Sequence, residues 1–556
     1  MKKHLLIAAT LFAVAVPVLV RAQQPPIIDR KLFFGEIEIA GAQISPDGQY
    51  LSFLKPYKGT RNIWVKKADE PFSAARPVSA EATRPVRGYF WSRDSKYLLY
   101  AQDAGGDENF NVYAVDPTLP ADPKTGVPPT RALTNLKGVR TEIFAAPRSK
   151  PDVLYIGLND RDPQFHDLYE LHISTGQKTL LRKNTERIAG WDFDNDGNLK
   201  LAERTNQAGD TEILRVDADG FMQIYSCTVL EGCGIQSFEA GNKQAYLITN
   251  KGDLNLSELE LLDIATGATT KVESDPENRV DIGSVETSDV DYRILFTSYE
   301  DDRYRLYFKD KGFEQEYRWL QSKLPGKEIN FGARSKDENI WIVMASSDVE
   351  PGETYLWNRA AKTLVLQYRI REKLPRASLS ERIPYHFKSS DGLDIPAYVT
   401  LPKGLPAKNL PLVVFPHGGP WGTRFVWLRH LRPIPLQPRL CGVAAKLPRF
   451  DRLWQKVPER RQRGVGTQDA GRPHLGRESA GSRWNRRSEA GRYRRRLLWR
   501  VCNVGRGRFH AARLRRRVRH RRALEPNHAA RRHPAVLGGR SQADVYAHGR
   551  SDDPGG

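Results

Sequence analysis

From Ile27 to about Glu372 the chain alternates apolar and polar residues in short runs, with Asp, Gly and Asn clusters between them. A period of two is the mark of half-buried antiparallel strands. Ile44-Ser45-Pro46-Asp47-Gly48-Gln49-Tyr50-Leu51-Ser52-Phe53 reads as a turn feeding a strand, and Phe90-Trp91-Ser92-Arg93-Asp94-Ser95-Lys96-Tyr97-Leu98-Leu99-Tyr100 repeats it. Later copies include Val153–Ile156 with Asp167–Leu171, Ala245–Ile248 with Leu259–Asp263, Tyr292–Phe296 with Arg305–Phe308, and Ile340–Val343 with Thr354–Trp357. Several strands every 40–50 residues or so predict a β-propeller, because one four-stranded blade cannot bury both faces and a ring of blades can. Seven or eight blades fit residues 23–372; a large β-sandwich is the competing architecture.

The texture changes at about Lys373. Arg382–Lys388 alternates as a strand, Ser390-Asp391-Gly392 turns the chain, and Ile395–Pro402 predicts a second strand. Leu412-Val413-Val414-Phe415 is a continuous apolar run of the kind that fills a buried sheet. It leads into Pro416-His417-Gly418-Gly419-Pro420-Trp421.

Length and charge alter this picture at the two ends. A chain of 556 residues is long enough for two domains. Its net charge of +21 sits in one place, since residues after Trp427 hold about 33 Lys and Arg against about 9 Asp and Glu. Everything before is near neutral. At the amino end, Lys2-Lys3-His4, the apolar run Leu5–Val20 and Arg21-Ala22-Gln23 form a secretory signal over 1–22, with an uncleaved anchor as the other reading. The expected location is therefore periplasmic or secreted, with no membrane contact beyond the signal. Export permits disulfides, and Cys227 and Cys233, flanking Glu231-Gly232, are either a short bridge or a free buried pair.

A buried strand running into His-Gly-Gly-Pro resembles the oxyanion-hole loop of α/β-hydrolases, although a Gly-Pro turn reads the same in isolation. Here it follows a propeller and a Ser-Asp-Gly hairpin. That order resembles the prolyl oligopeptidase family of serine peptidases, particularly its acylaminoacyl-peptidase and dipeptidyl-aminopeptidase-like bacterial branch. The resemblance spans roughly residues 27–427. It implies an α/β-hydrolase domain beginning over 373–427, hydrolysis of short peptides through an acyl-enzyme, and no metal or cofactor. It also implies an oxyanion donor at Gly418 or Gly419. Gly106-Asp107-Glu108-Asn109-Phe110 resembles an acidic propeller loop whose Glu108 would bind a substrate's free amino terminus; a solvated blade turn is the plainer reading.

Beyond Trp421 the family pattern stops. No G-x-S-x-G occurs there, and Gly539-Arg540-Ser541-Gln542-Ala543 lacks the final glycine. Residues 428–556 read as a basic nucleic-acid-binding tail, as disorder, or as a gene read out of frame. The third fits the letters. Read from the second base, Lys446–Arg452 can yield Asn-Phe-Arg-Gly-Ser-Thr-Gly, and Leu453–Glu459 can yield Tyr-Gly-Lys-Lys-Phe-Leu-Asn. In the same phase Leu497–Val504 can yield Ser-Tyr-Gly-Gly-Tyr-Ala-Thr-Leu behind a Gly-x pair, a nucleophile elbow. The serine codon would then straddle Leu497 and Leu498. On this reading the frame changes at Trp427-Leu428, the family's Asp and His fall past Gly556, and no nucleic-acid partner is expected. The tail would lack a regular fold, Leu412–Phe415 would lack parallel neighbours, and the written chain would be inactive.

Overall fold

The computed structural model describes residues 27–388, 394–408, 410–416 and 441–445. The expected leader 1–22, the Ser390-Asp391-Gly392 turn, the His417–Trp421 loop with Gly418 and Gly419, and the Leu497/Leu498 junction lie outside the described residues.

Seven antiparallel sheets follow one another between Ala40 and Arg369, each ordered as in sequence. Six have four strands, and the sixth in order has three. The turn joining first to second strand uses one device repeatedly. In Ser45-Pro46-Asp47 the Ser45 hydroxyl donates to Asp47 Oδ1 (2.5 Å) and accepts from the Tyr50 amide (2.9 Å). Ser92, Asp94 and Tyr97 repeat it in the second sheet, and Ser335, Asp337 and Ile340 in the seventh. Such side-chain-to-backbone bonds are why Ser and Asp mark turns.

Seven apolar cores lie between successive sheets. Ile63, Val65, Trp91 and Tyr100 join the first to the second. Leu295, Phe296, Trp341 and Trp357 join the sixth to the seventh. The last core, of Ile44, Leu51, Phe53, Ile342 and Tyr368, joins the seventh back to the first. The ring is closed: the fold is a seven-bladed propeller, one of the two blade numbers the repeat length allowed. In the sixth blade the helix Lys311–Lys323 follows the third strand. Asp310 caps it by accepting the Phe313 amide (2.6 Å), and Phe313 and Leu320 are buried against the seventh blade. The period-two alternation carries no sign of this helix.

A disulfide joins Cys227, the last residue of blade four, to Cys233, the first of blade five. After the ring, Arg382–Lys388 pairs antiparallel with Asp394–Thr400. The eighth sheet then continues with Cys441–Ala445 and ends with Leu412–Pro416, and these two run parallel. This corrects one expectation: the apolar strand does have a parallel neighbour, drawn from the basic segment itself. Cys441-Gly442-Val443-Ala444-Ala445 is uncharged, unlike the arginine runs around it, so it can pair in a sheet.

Candidate functional site

Alternating strand direction gives the propeller two unlike faces. First-to-second strand turns lie on one; second-to-third turns and the links between blades lie on the other. The chain leaves the last blade at Arg369 on this second face, and the eighth sheet docks there. The contacts are polar. Asp348, in the second-to-third turn of blade seven, has its side chain only 7% exposed and receives Arg382 Nε (2.7 Å), the Arg382 amide (3.2 Å) and Arg303 Nη1 (3.1 Å). Burial alone pushes its carboxyl up, but Arg382 and Arg303 overrule it and hold it below the usual carboxylate range. Tyr398 donates to the carbonyl of Asp302 (2.8 Å), and His386 bridges Asp394 and Asp302.

The strand Leu412–Pro416 is followed in sequence by His417-Gly418-Gly419, and Ala445 pairs with Pro416. In open α/β sheets ligands bind outside the carboxyl ends of parallel strands, and here the residues that follow those ends lie outside the described residues. Glu108 lies in the second-to-third loop of blade two, on the face that carries the eighth sheet. It is exposed, at φ +61°, with its amide directed to Asp103 (3.4 Å), which is itself paired with Arg84 (2.7 Å). The left-handed backbone is uncommon for Glu. The described residues do not bring Glu108 into contact with the Leu412–Pro416 strand.

The chain is 33% identical over 405 residues to dipeptidyl aminopeptidase BIII of Pseudoxanthomonas mexicana, covering 71% of this chain and 57% of that protein. The chain belongs to the prolyl oligopeptidase family. It is also 25% identical over 394 residues to dipeptidyl peptidase family member 6 of Caenorhabditis elegans, covering 68% of this chain and 52% of that one. The chain thus spans a little over half the length of these curated relatives. No family model matches it. Among solved structures, a prolyl endopeptidase (TM-score 0.52, 14% identity, 75% of this chain and 62% of that one) shares the fold. So does a puromycin-hydrolysing peptidase of Mycobacterium tuberculosis (TM-score 0.52, 12% identity, 76% and 68%).

In this prolyl oligopeptidase-family propeller the face away from the eighth sheet is bolted by charge. Arg148 of blade three pairs with Asp289 of blade six, nearly opposite in a ring of seven. Arg334 of blade seven reaches the same carboxylate (2.5 Å) and Glu286 (2.6 Å), while Arg93 of blade two donates to the Ala146 carbonyl beside Arg148 (3.0 Å). Arg334 and Arg148 hold Asp289 below the usual carboxylate range against the upward push of burial. None of these residues stands out in the sequence, because the pairs are 45 to 141 positions apart.

Proposed function

We propose that the chain descends from an exported serine peptidase that removes short units from the amino ends of peptides, in a dipeptidyl- or acylaminoacyl-peptidase-like way. Its reading frame changes near Trp427, which leaves the written chain inactive. The observation that carries this is the propeller followed by a hydrolase-type sheet whose apolar strand runs into His417-Gly418-Gly419, in a chain 33% identical to a dipeptidyl aminopeptidase. In the active ancestor a backbone N–H of Gly418 or Gly419 supplies one oxyanion donor, and the residue after the serine supplies the other. Glu108 fits the role of an acid that receives a substrate's amino group.

A third stretch supports the change of frame. Read from the second base, Leu440–Lys446 can yield Tyr-Ala-Val-Leu-Gln-Pro-Asn, a strand-like run leading into the Asn-Phe-Arg-Gly-Ser-Thr-Gly obtained from Lys446–Arg452. The segment that pairs with Leu412–Pro416 is thus strand-like in either frame.

The test is the coding sequence around the Trp427 codon, and expression of the written and frame-restored proteins. Restoring the frame with a one- or two-base change, in a coding sequence that runs on past codon 556 to the family's Asp and His, is expected to give a fluorophosphonate-labelled serine and hydrolysis of dipeptidyl or acyl-aminoacyl chromogenic peptides. The written chain should show neither. Hydrolysis by the written chain sinks the inactivity claim, an elbow missing from the restored frame sinks the frame claim, and a labelled but peptide-inert restored protein sinks the peptidase claim.

A further inference from the structure

The His386 imidazole lies at the contact between ring and eighth sheet, with a carboxylate on each side. Its Nδ1 is 2.7 Å from Asp394 Oδ2 on the neighbouring strand of its own hairpin. Its Nε2 is 3.1 Å from both oxygens of Asp302, in the second-to-third turn of blade six. A neutral imidazole has one N–H and serves one carboxylate; the imidazolium has two and serves both. Only the charged form can tie hairpin to propeller and stay oriented on Asp394.

We propose that His386 is a proton-operated latch that fixes the docking of the Arg382–Thr400 hairpin on blade six. This stands on the contact alone and does not depend on the peptidase reading.

The surroundings decide whether the latch can be felt. On the hairpin, Lys388 shares Asp394 (3.5 Å), so part of that carboxylate's charge is already answered. On blade six, Asp301 is engaged by Arg279 (2.5 Å) and Arg305 (3.1 Å), and Arg303 is turned to Asp348. Asp302 is therefore the carboxylate that blade six offers to the ring. The hairpin's other ties to the propeller include Arg382 to Asp348, Arg303 to the Arg382 carbonyl (3.2 Å), and Tyr398 to the carbonyls of Asp302 and Asp301, and none of these changes charge near neutral pH. The hydrogen bond to Asp394 raises the His386 pKa most, burial opposes it, and the hydrogen bond to Asp302 adds to the rise. A raised folded value means the contribution is complete below the ordinary imidazole range near 6.5 and is lost as pH rises through the folded value. Asp394, held low chiefly by His386, keeps its charge throughout that window.

Hydrogen–deuterium exchange of the full chain, corrected for intrinsic rates, reads the latch by region. Between pH 6 and 8.5 the exchange of peptides from 382–388 and 394–400 should rise roughly two- to fivefold, the range expected for partly exposed ion pairs. Blades one to five should stay level. His386→Gln should exchange at the fast level at every pH. Asp302→Asn leaves the hairpin pair intact and removes the bridge, so it should abolish most of the pH response without unfolding the hairpin. A flat wild-type profile overturns the proposal, as does a full pH response that persists in either variant.

Discussion

Asp348 is the residue on which docking of the two sheets depends most. It is a buried carboxylate between two guanidinium groups, and removing one side of such a cluster leaves the other uncompensated. Breaking a buried pair costs about 3–5 kcal/mol, and Arg303 is half exposed, which lowers the expected loss for Asp348→Ala to about 2–3 kcal/mol. Urea unfolding followed at the hairpin should show this, and Asp348→Asn, which keeps the shape, should lose somewhat less. The sign with pH follows from its lowered pKa. The contribution is present above the ordinary carboxylate value and disappears as pH falls through the lower folded one. Docking therefore weakens at both ends of the scale: at the alkaline end through His386, and in acid through Asp348. The stability gap between wild type and Asp348→Asn should therefore close in acid, and a gap that persists undiminished there would contradict the second half.

At the scale of elements, two cross-links tie blades that packing alone would leave adjustable. The Cys227–Cys233 bridge clips blade four to blade five through a short loop, and in the chain-entropy account such a loop contributes about 2 kcal/mol. Cys227→Ser with Cys233→Ser, or reductant, should lower the unfolding free energy by that amount; no change would mean the bridge is absent in solution. The ionic bolt is the second cross-link. Arg148→Gln and Asp289→Asn should show non-additive losses in a double-mutant cycle, by roughly 0.5–3 kcal/mol, although the residues belong to opposite blades. Additivity would show that the bolt does not span the ring. These elements differ in how far the sequence revealed them. Strands were legible because turns such as those at Ser45, Ser92 and Ser335 carry their own Ser-x-Asp chemistry and the strands a period of two. The helix Lys311–Lys323 was not, because its buried Phe313 and Leu320 stand among Glu314, Glu316 and Arg318, and the surrounding β pattern dominates. The Gly418-Gly419 loop was legible as a local motif. The His386–Asp302 bridge and the bolt were not, since only the closed ring brings their members together.

For the whole molecule, what matters is how the ring is kept shut. Six of the seven interblade cores have a chain connection behind them, which keeps the two blades close even when side chains separate. The seventh, between the last blade and the first, has none, and every strand of blade seven comes from the same stretch, Glu328–Asn358 and Thr363–Arg369. Bonds that cross the seam besides the packing include Lys336 amide to Pro46 carbonyl (2.6 Å) and Ala42 amide to Tyr368 hydroxyl (3.2 Å). Behind it, Arg371 holds the carbonyls of Leu32 (3.2 Å) and Gly35 (2.9 Å), so the entering and leaving segments are tied to each other. Phe53 is the centre of the seam, fully buried and ringed by Phe72 (4.6 Å) and Tyr368 (6.3 Å). Phe53→Ala should cost about 3–5 kcal/mol, as other large-to-small core changes do. Leu201→Ala, equally buried between blades four and five, should cost a comparable amount. The two should differ in where they loosen the protein. With no connection to limit opening, Phe53→Ala should raise exchange selectively in Tyr50–Tyr57 and Ile340–Ser346 before any global unfolding, while Leu201→Ala should not open its interface ahead of the ring. If both variants loosen all seven blades together, closure is a property of the ring as a unit and the seam is no weaker than its neighbours.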